Sequence, residues 1–134
     1  MDDWHEGVVL LDVPPGSAGE FDREMLERFG HPAVVCHGPG DEVCPLLRGV
    51  GCPLYEQAHG VVYKLDLRLE QHREILRAYR RLGRPDMPIR VMVSASDAER
   101  YADLLTDVEQ WTGEPSVADL DGFAAEVEAA DRFA

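Results

Sequence analysis

The sequence predicts an α/β domain in which five strand–helix units are wound around a parallel sheet. Three observations carry that expectation. Short β-branched apolar runs alternate repeatedly with amphipathic stretches of helical length, which is how βα units read in a sequence. Most of the short runs are continuously apolar, as strands covered by helices on both faces are. Several helical stretches begin with a hydroxyl residue three positions before a carboxylate, the spacing that satisfies the orphan N–H groups of a helix start reciprocally.

Strands are expected at 8–11, 33–36, 61–65, 89–93 and 108–111. Ser17 with Glu20, Ser96 with Glu99 and Ser116 with Asp119 have the capping spacing. Phe21, Met25 and Phe29 share one face of the first helix, which stops at Gly30. Ile75, Leu76, Tyr79 and Leu82 form the apolar face of another, before Gly83. Tyr101, Ala102 and Leu105 mark the fourth helix, and Val117, Leu120, Phe123, Ala124 and Val127 give the last one a continuous stripe. The segment 38–60 breaks the regularity. Its glycines and prolines, among them Gly38, Pro39, Pro45, Gly51 and Pro53, admit only short helical turns, at 44–48 and 54–58.

The length of 134 residues fits one domain, residues 1–134, and 45% hydrophobic residues suffice for a core without staples. A formal net charge of −13 repels phosphate backbones and anionic lipid, so neither nucleic acid nor membrane is an expected partner. The acidic start, Met1-Asp2-Asp3-Trp4, lacks the pattern of a secretory leader, and no apolar run reaches membrane length. Three cysteines are too few and too odd in number for a disulfide framework, which suits a reducing, cytoplasmic setting.

In a wound parallel sheet, ligands and reactive groups collect beyond the carboxyl ends of the strands. The residues there are Asp12, His37, Asp66, Ser94 and Glu114. Gly60-Val-Val-Tyr-Lys-Leu-Asp66-Leu-Arg-Leu69, the run from Arg84 to Asp97 that carries Ser94-Ala95, and Trp111-Thr-Gly-Glu114-Pro115 follow one another at a characteristic spacing. Together this set resembles the receiver domain of two-component response regulators, over nearly the whole chain. The resemblance implies a flavodoxin-like sheet with strand order 2-1-3-4-5, Asp66 at the phosphoacceptor position, Ser94 as switch hydroxyl and Trp111 as switch aromatic.

Two departures imply an atypical, degenerate pseudo-receiver. Receivers close their first strand with an acidic pair that helps to hold Mg²⁺, whereas here Asp12 is followed by Val13. Glu114 stands where the family has a lysine. Phosphoryl transfer depends on neutralising the equatorial oxygens, and a like-charge pair at ~4 Å and an effective dielectric of about 20 costs on the order of 4 kcal/mol. Lys64, the single lysine, should project to the same side of its strand as Asp66. An unpaired ammonium there is costly. Lys64 is therefore expected either to pair with Asp12 or another strand-end carboxylate, partly replacing the missing lysine, or to snorkel to the sheet end.

Cys36, Cys44 and Cys52 recur at intervals of eight, with His31, His37 and His59 nearby in sequence. The spacing matches no zinc-ribbon or iron–sulfur pattern. No phosphate loop, nucleophile elbow or dinucleotide fingerprint is present. No enzymatic activity, cofactor or metal is expected. The leading expectation is a stand-alone receiver-like signalling or adaptor domain that acts through protein contacts, its orthodox aspartyl phosphorylation lost. Its partner is a protein or a second copy, bound through the fourth helix, fifth strand and fifth helix, with Tyr101 and Trp111 as anchors. Two alternatives stand beside it: a thiol- or metal-responsive sensor built on Cys36, Cys44 and Cys52, and a phosphotransfer receiver still using Asp66.

Overall fold

The computed structural model describes residues 8–14, 19–37, 52–82 and 87–132. Strands β1 (Val9–Asp12), β2 (Ala33–Cys36), β3 (Gly60–Tyr63), β4 (Ile89–Met92) and β5 (Glu109–Trp111) alternate with helices α1 (Gly19–Arg28), α2 (Pro53–Gln57), α3 (Glu70–Leu82), α4 (Ala95–Arg100) and α5 (Val117–Arg132). The strands form one parallel sheet in the order β2-β1-β3-β4-β5. β1 lies between β2 and β3, with Leu11 level with Val35 on one side and Val62 on the other.

Because successive side chains of a strand point to opposite faces, the central strands feed two cores. Val9, Leu11, Val13 and Val62 pack with Leu26 of α1 and with Leu120, Phe123, Ala124 and Val127 of α5. Leu10, Val61, Tyr63 and Val91 pack with Tyr55 of α2 and with Ile75, Leu76 and Tyr79 of α3. The apolar stripe of α5 is buried as the periodicity predicts, except for Val117 at its exposed start. Gly60 lets α5 lie against β3, since a Cβ there would collide with the side chain of Val127.

Local capping is legible in part. Ser116 and Asp119 form the reciprocal box that opens α5, the Ser116 N–H donating to Asp119 Oδ2 at 2.9 Å and the Asp119 N–H to Ser116 Oγ at 3.1 Å. α4 starts two residues earlier than its predicted box: Ser94 accepts from the Asp97 N–H, and Ser96 and Glu99 lie inside the helix. α4 ends at Arg100, so Tyr101, Ala102 and Leu105 belong to the following turns, where Leu104 and Leu105 are buried. α2 overlaps the expected turn at 54–58, shifted one residue towards the N-terminus, while the turn at 44–48, Ser17 and Trp4 lie outside the described residues.

The first helix is rotated relative to its hydrophobic pattern. Phe21 and Phe29 are 64% and 52% exposed, and the face against the sheet is Gly19, Asp22 and Leu26. Gly19 packs where any Cβ would collide with Val13. Asp22 has a buried partner that outweighs the apolar preference of the opposite stripe.

Candidate functional site

The strand order reverses between β1 and β3, and the carboxyl ends of these strands form the crevice where wound sheets place their chemistry. Lys64, the first residue beyond β3, sits there. Its amide donates to the Asp12 carbonyl at 2.7 Å, extending the β1–β3 ladder by one rung. Its side chain turns to the α1–α5 face, where Nζ lies 2.7 Å from Asp22 Oδ2 and 2.7 Å from Glu114 Oε1. The Lys64 and Asp22 side chains are only 5% and 7% exposed, whereas Glu114 is 66% exposed. One ammonium thus ties together α1, the end of β3 and the loop that enters α5.

The sequence expects Asp12 or another strand-end carboxylate as the partner of this lysine; Glu114 is such a carboxylate, whereas Asp12 points to the opposite face. It is 1% exposed, its Oδ2 accepts from the Tyr79 hydroxyl at 2.6 Å, and the Cys36 thiol also hydrogen-bonds it. Among the described residues, no partner reaches Asp12 Oδ1. Burial without a cation favours the neutral acid and pushes its pKa up to about 7, the bonds from Tyr79 and Cys36 only partly offsetting this. Tyr79 stacks on Tyr55 at 4.8 Å and meets Tyr63 edge-on at 6.1 Å, so the carboxyl is roofed by aromatic rings.

A cavity of about 380 Å³ opens beyond β3, β4 and β5, lined among others by Lys64, Asp66, Ser94, Asp97 and Glu114. Four of the residues read from the sequence as one pocket, Lys64, Asp66, Ser94 and Glu114, therefore do converge. Asp12 and Trp111 do not line it. Asp66 is held by its neighbour: Arg68 donates its amide to Oδ1 at 2.9 Å, Nε to Oδ1 at 3.1 Å and a terminal nitrogen to Oδ2 at 3.0 Å. These bonds to Arg68 hold the Asp66 carboxyl below the usual carboxylate range. Ser94 caps α4 and also meets Ser96 Oγ at 3.2 Å. Trp111 packs edge-on against Phe123 with ring centroids 6.0 Å apart, and the Arg90 guanidinium lies 5.3 Å from each ring centroid.

These groups do not fit Mg²⁺. Asp12 is on the far face under Tyr79, Val13 is buried core, Asp66 is bonded to Arg68, and the buried Asp22 is already paired with the Lys64 ammonium. Mg²⁺ asks for several oxygen ligands in near-octahedral array, and among the described residues no group of three His, Cys, Asp or Glu side chains is placed to hold a metal. Cys36 ends β2 beside Asp12, Cys52 precedes α2, and both are half-buried; Cys44 lies outside the described residues.

Sequence reasoning misses Asp22. The available signal is its register: an aspartate four residues before Leu26 on the face that packs on the sheet must be buried, and a buried carboxylate needs a cation.

No protein-family model matches the sequence, and no curated protein is similar to it. Solved structures are. A sensor protein from Polaromonas sp. JS666 superposes with a TM-score of 0.63 at 17% identity, over 94% of this chain and 96% of that one. The receiver domain of Francisella response regulator 1452 gives 0.64 at 15% identity, over 91% and 96%. A CheY-like receiver domain protein from Methanospirillum hungatei JF-1 gives 0.60 at 12% identity, over 95% and 98%. With the strand order 2-1-3-4-5, these comparisons establish that the chain has the fold of response-regulator receiver domains.

Proposed function

We propose that this chain is an atypical receiver-like signalling or adaptor domain that works through protein contacts and has lost orthodox aspartyl phosphorylation. The observation that carries the reading is the ammonium of Lys64 held between Asp22 and Glu114 at the crevice of the sheet. A phosphorylated carboxylate needs cations free to meet its oxygens. Among the described residues, the one buried cation at the crevice already has two carboxylates, and Asp66 is bonded through both oxygens to Arg68. Such a pocket favours one fixed arrangement over a two-state switch.

Two surfaces suit partner contacts. The face of α4, β5 and α5 is the one proposed for a homodimer, while Tyr101 itself packs towards α3, with the Arg73 and Arg100 guanidinium groups 5.3 and 5.5 Å from its ring centroid. The other is the strip of Phe21, Met25 and Phe29 beside Val117.

The test is incubation with a small phosphodonor and Mg²⁺, read by intact mass. No phosphoryl adduct is expected. An adduct that disappears in Asp66→Asn would overturn the reading.

A further inference from the structure

His31 lies at the corner between α1 and β2. Its amide donates to the Leu26 carbonyl at the end of the helix, and Gly30, at φ +86°, makes the turn. The residue is buried. Both nitrogens of its ring meet carboxylates of α5: Nδ1 is 2.7 Å from Glu128 Oε1 and Nε2 is 2.8 Å from Asp121 Oδ1. A neutral imidazole has a single N–H, and an ionised carboxylate only accepts. Both bonds can be made to ionised carboxylates only by the imidazolium.

Among the described residues, the ring has no other ionic neighbour that could take over this role. The last turn of α1 carries Glu27 and Arg28, both exposed, with Glu27 already bonded to Arg23, and β2 carries no charged residue. Asp121 and Glu128 lie two helical turns apart, so the ring bridges a length of the polar flank of α5. The apolar stripe of the same helix, Leu120, Phe123, Ala124 and Val127, is buried independently of the bridge.

We propose that His31 is a proton-operated clasp for α5: protonated, it fastens the helix to the α1–β2 corner through two carboxylates, and deprotonated it releases one of them and loosens that flank. Any contact made through α5 then responds to pH. The inference stands apart from the fate of Asp66 and holds whether or not that residue accepts a phosphoryl group.

Burial opposes the charge on His31, but the bonds to Asp121 and Glu128 outweigh it and raise the pKa above the ordinary 6.5. A raised histidine contributes stability that is complete below the unfolded-state value and is lost as pH rises through the folded-state value. The clasp therefore opens as pH rises through a midpoint above the ordinary histidine value.

The experiment follows the ring by ¹⁵N–¹H NMR and the α5 amides by hydrogen exchange between about pH 5.5 and 8.5, corrected for intrinsic exchange, in the native chain, Glu128→Gln and His31→Gln. The native ring should titrate above 6.5, with α5 protection falling roughly tenfold across its midpoint, the net worth of one charge-assisted bond. Glu128→Gln should lower that midpoint, and His31→Gln should leave α5 with only the pH dependence it shares with the central-strand amides, which report the titration of Asp12. A native ring that titrates at or below 6.5, or α5 protection that does not change with pH, would overturn the proposal. Should His31→Gln not fold, the midpoint in Glu128→Gln still decides.

Discussion

Asp12 and Lys64 sit at the same end of the sheet, on neighbouring strands, yet their charges are handled in opposite ways. Lys64 faces α1 and α5 and keeps its charge by ion pairing with Asp22 and Glu114. Asp12 faces α3 and finds a phenol and a thiol but no cation, so the carboxyl is driven towards its neutral form. The pleat alone decides this, because residues one position apart in register point to opposite faces. Chemistry that needs an acid and a cation together cannot be assembled from this pair, however close they lie along the strands.

The comparison can be broken most severely at Lys64. Lys64→Met leaves Asp22 buried without a cation and should cost about 3–5 kcal/mol in denaturant unfolding. Lys64→Met with Asp22→Asn should recover a large part, since the stranded charge is gone. A single substitution that costs under about 1 kcal/mol would mean that the pair is not buried as described.

The next largest effect is expected at Asp12, with a definite sign. A carboxyl raised to about 7 gives stability that is present below its unfolded value and is lost as pH rises through the folded one. Asp12→Asn, which still accepts from Tyr79, should therefore be more stable than the native chain at pH 8, by on the order of 3 kcal/mol, and show no advantage near pH 4. Equal stabilities at both pH values would show that Asp12 carries no titration penalty. The smallest effect belongs to the exposed end of the ion-pair cluster. Glu114→Gln should cost less than about 1 kcal/mol and lose most of that in high salt.

Much of the scaffold was readable in the chain. Period changes located all five strands to within a residue or two, and the Ser116–Asp119 box is formed as the spacing requires. Such features are local, so they survive whatever packs around them. The rotation of α1 was not readable from its apolar stripe, because Phe21, Met25 and Phe29 are the stronger hydrophobic signal, yet Phe21 and Phe29 face outwards and Met25 is only half-buried against the core. Two non-local demands prevail: Gly19 must approach Val13, and Asp22 must reach Lys64.

The site divides in the same manner. Asp66, Ser94 and Glu114 could be assigned to one edge from their positions after strands, since a parallel sheet gathers its carboxyl ends there, and Lys64 from its place two residues before Asp66. The need for a partner at Lys64 also followed from the sequence, because a lysine on a central strand cannot be left unpaired. Which carboxylates answer that need, and which group clasps His31, depended on helices far away in the chain being laid against the sheet. Residue order and periodicity thus determine the strands, the helices and the edge where polar groups gather. The pairing of charges across that edge is decided only by tertiary packing, because ion pairs are selected by distance and burial, and neither is encoded in the spacing of residues along the chain.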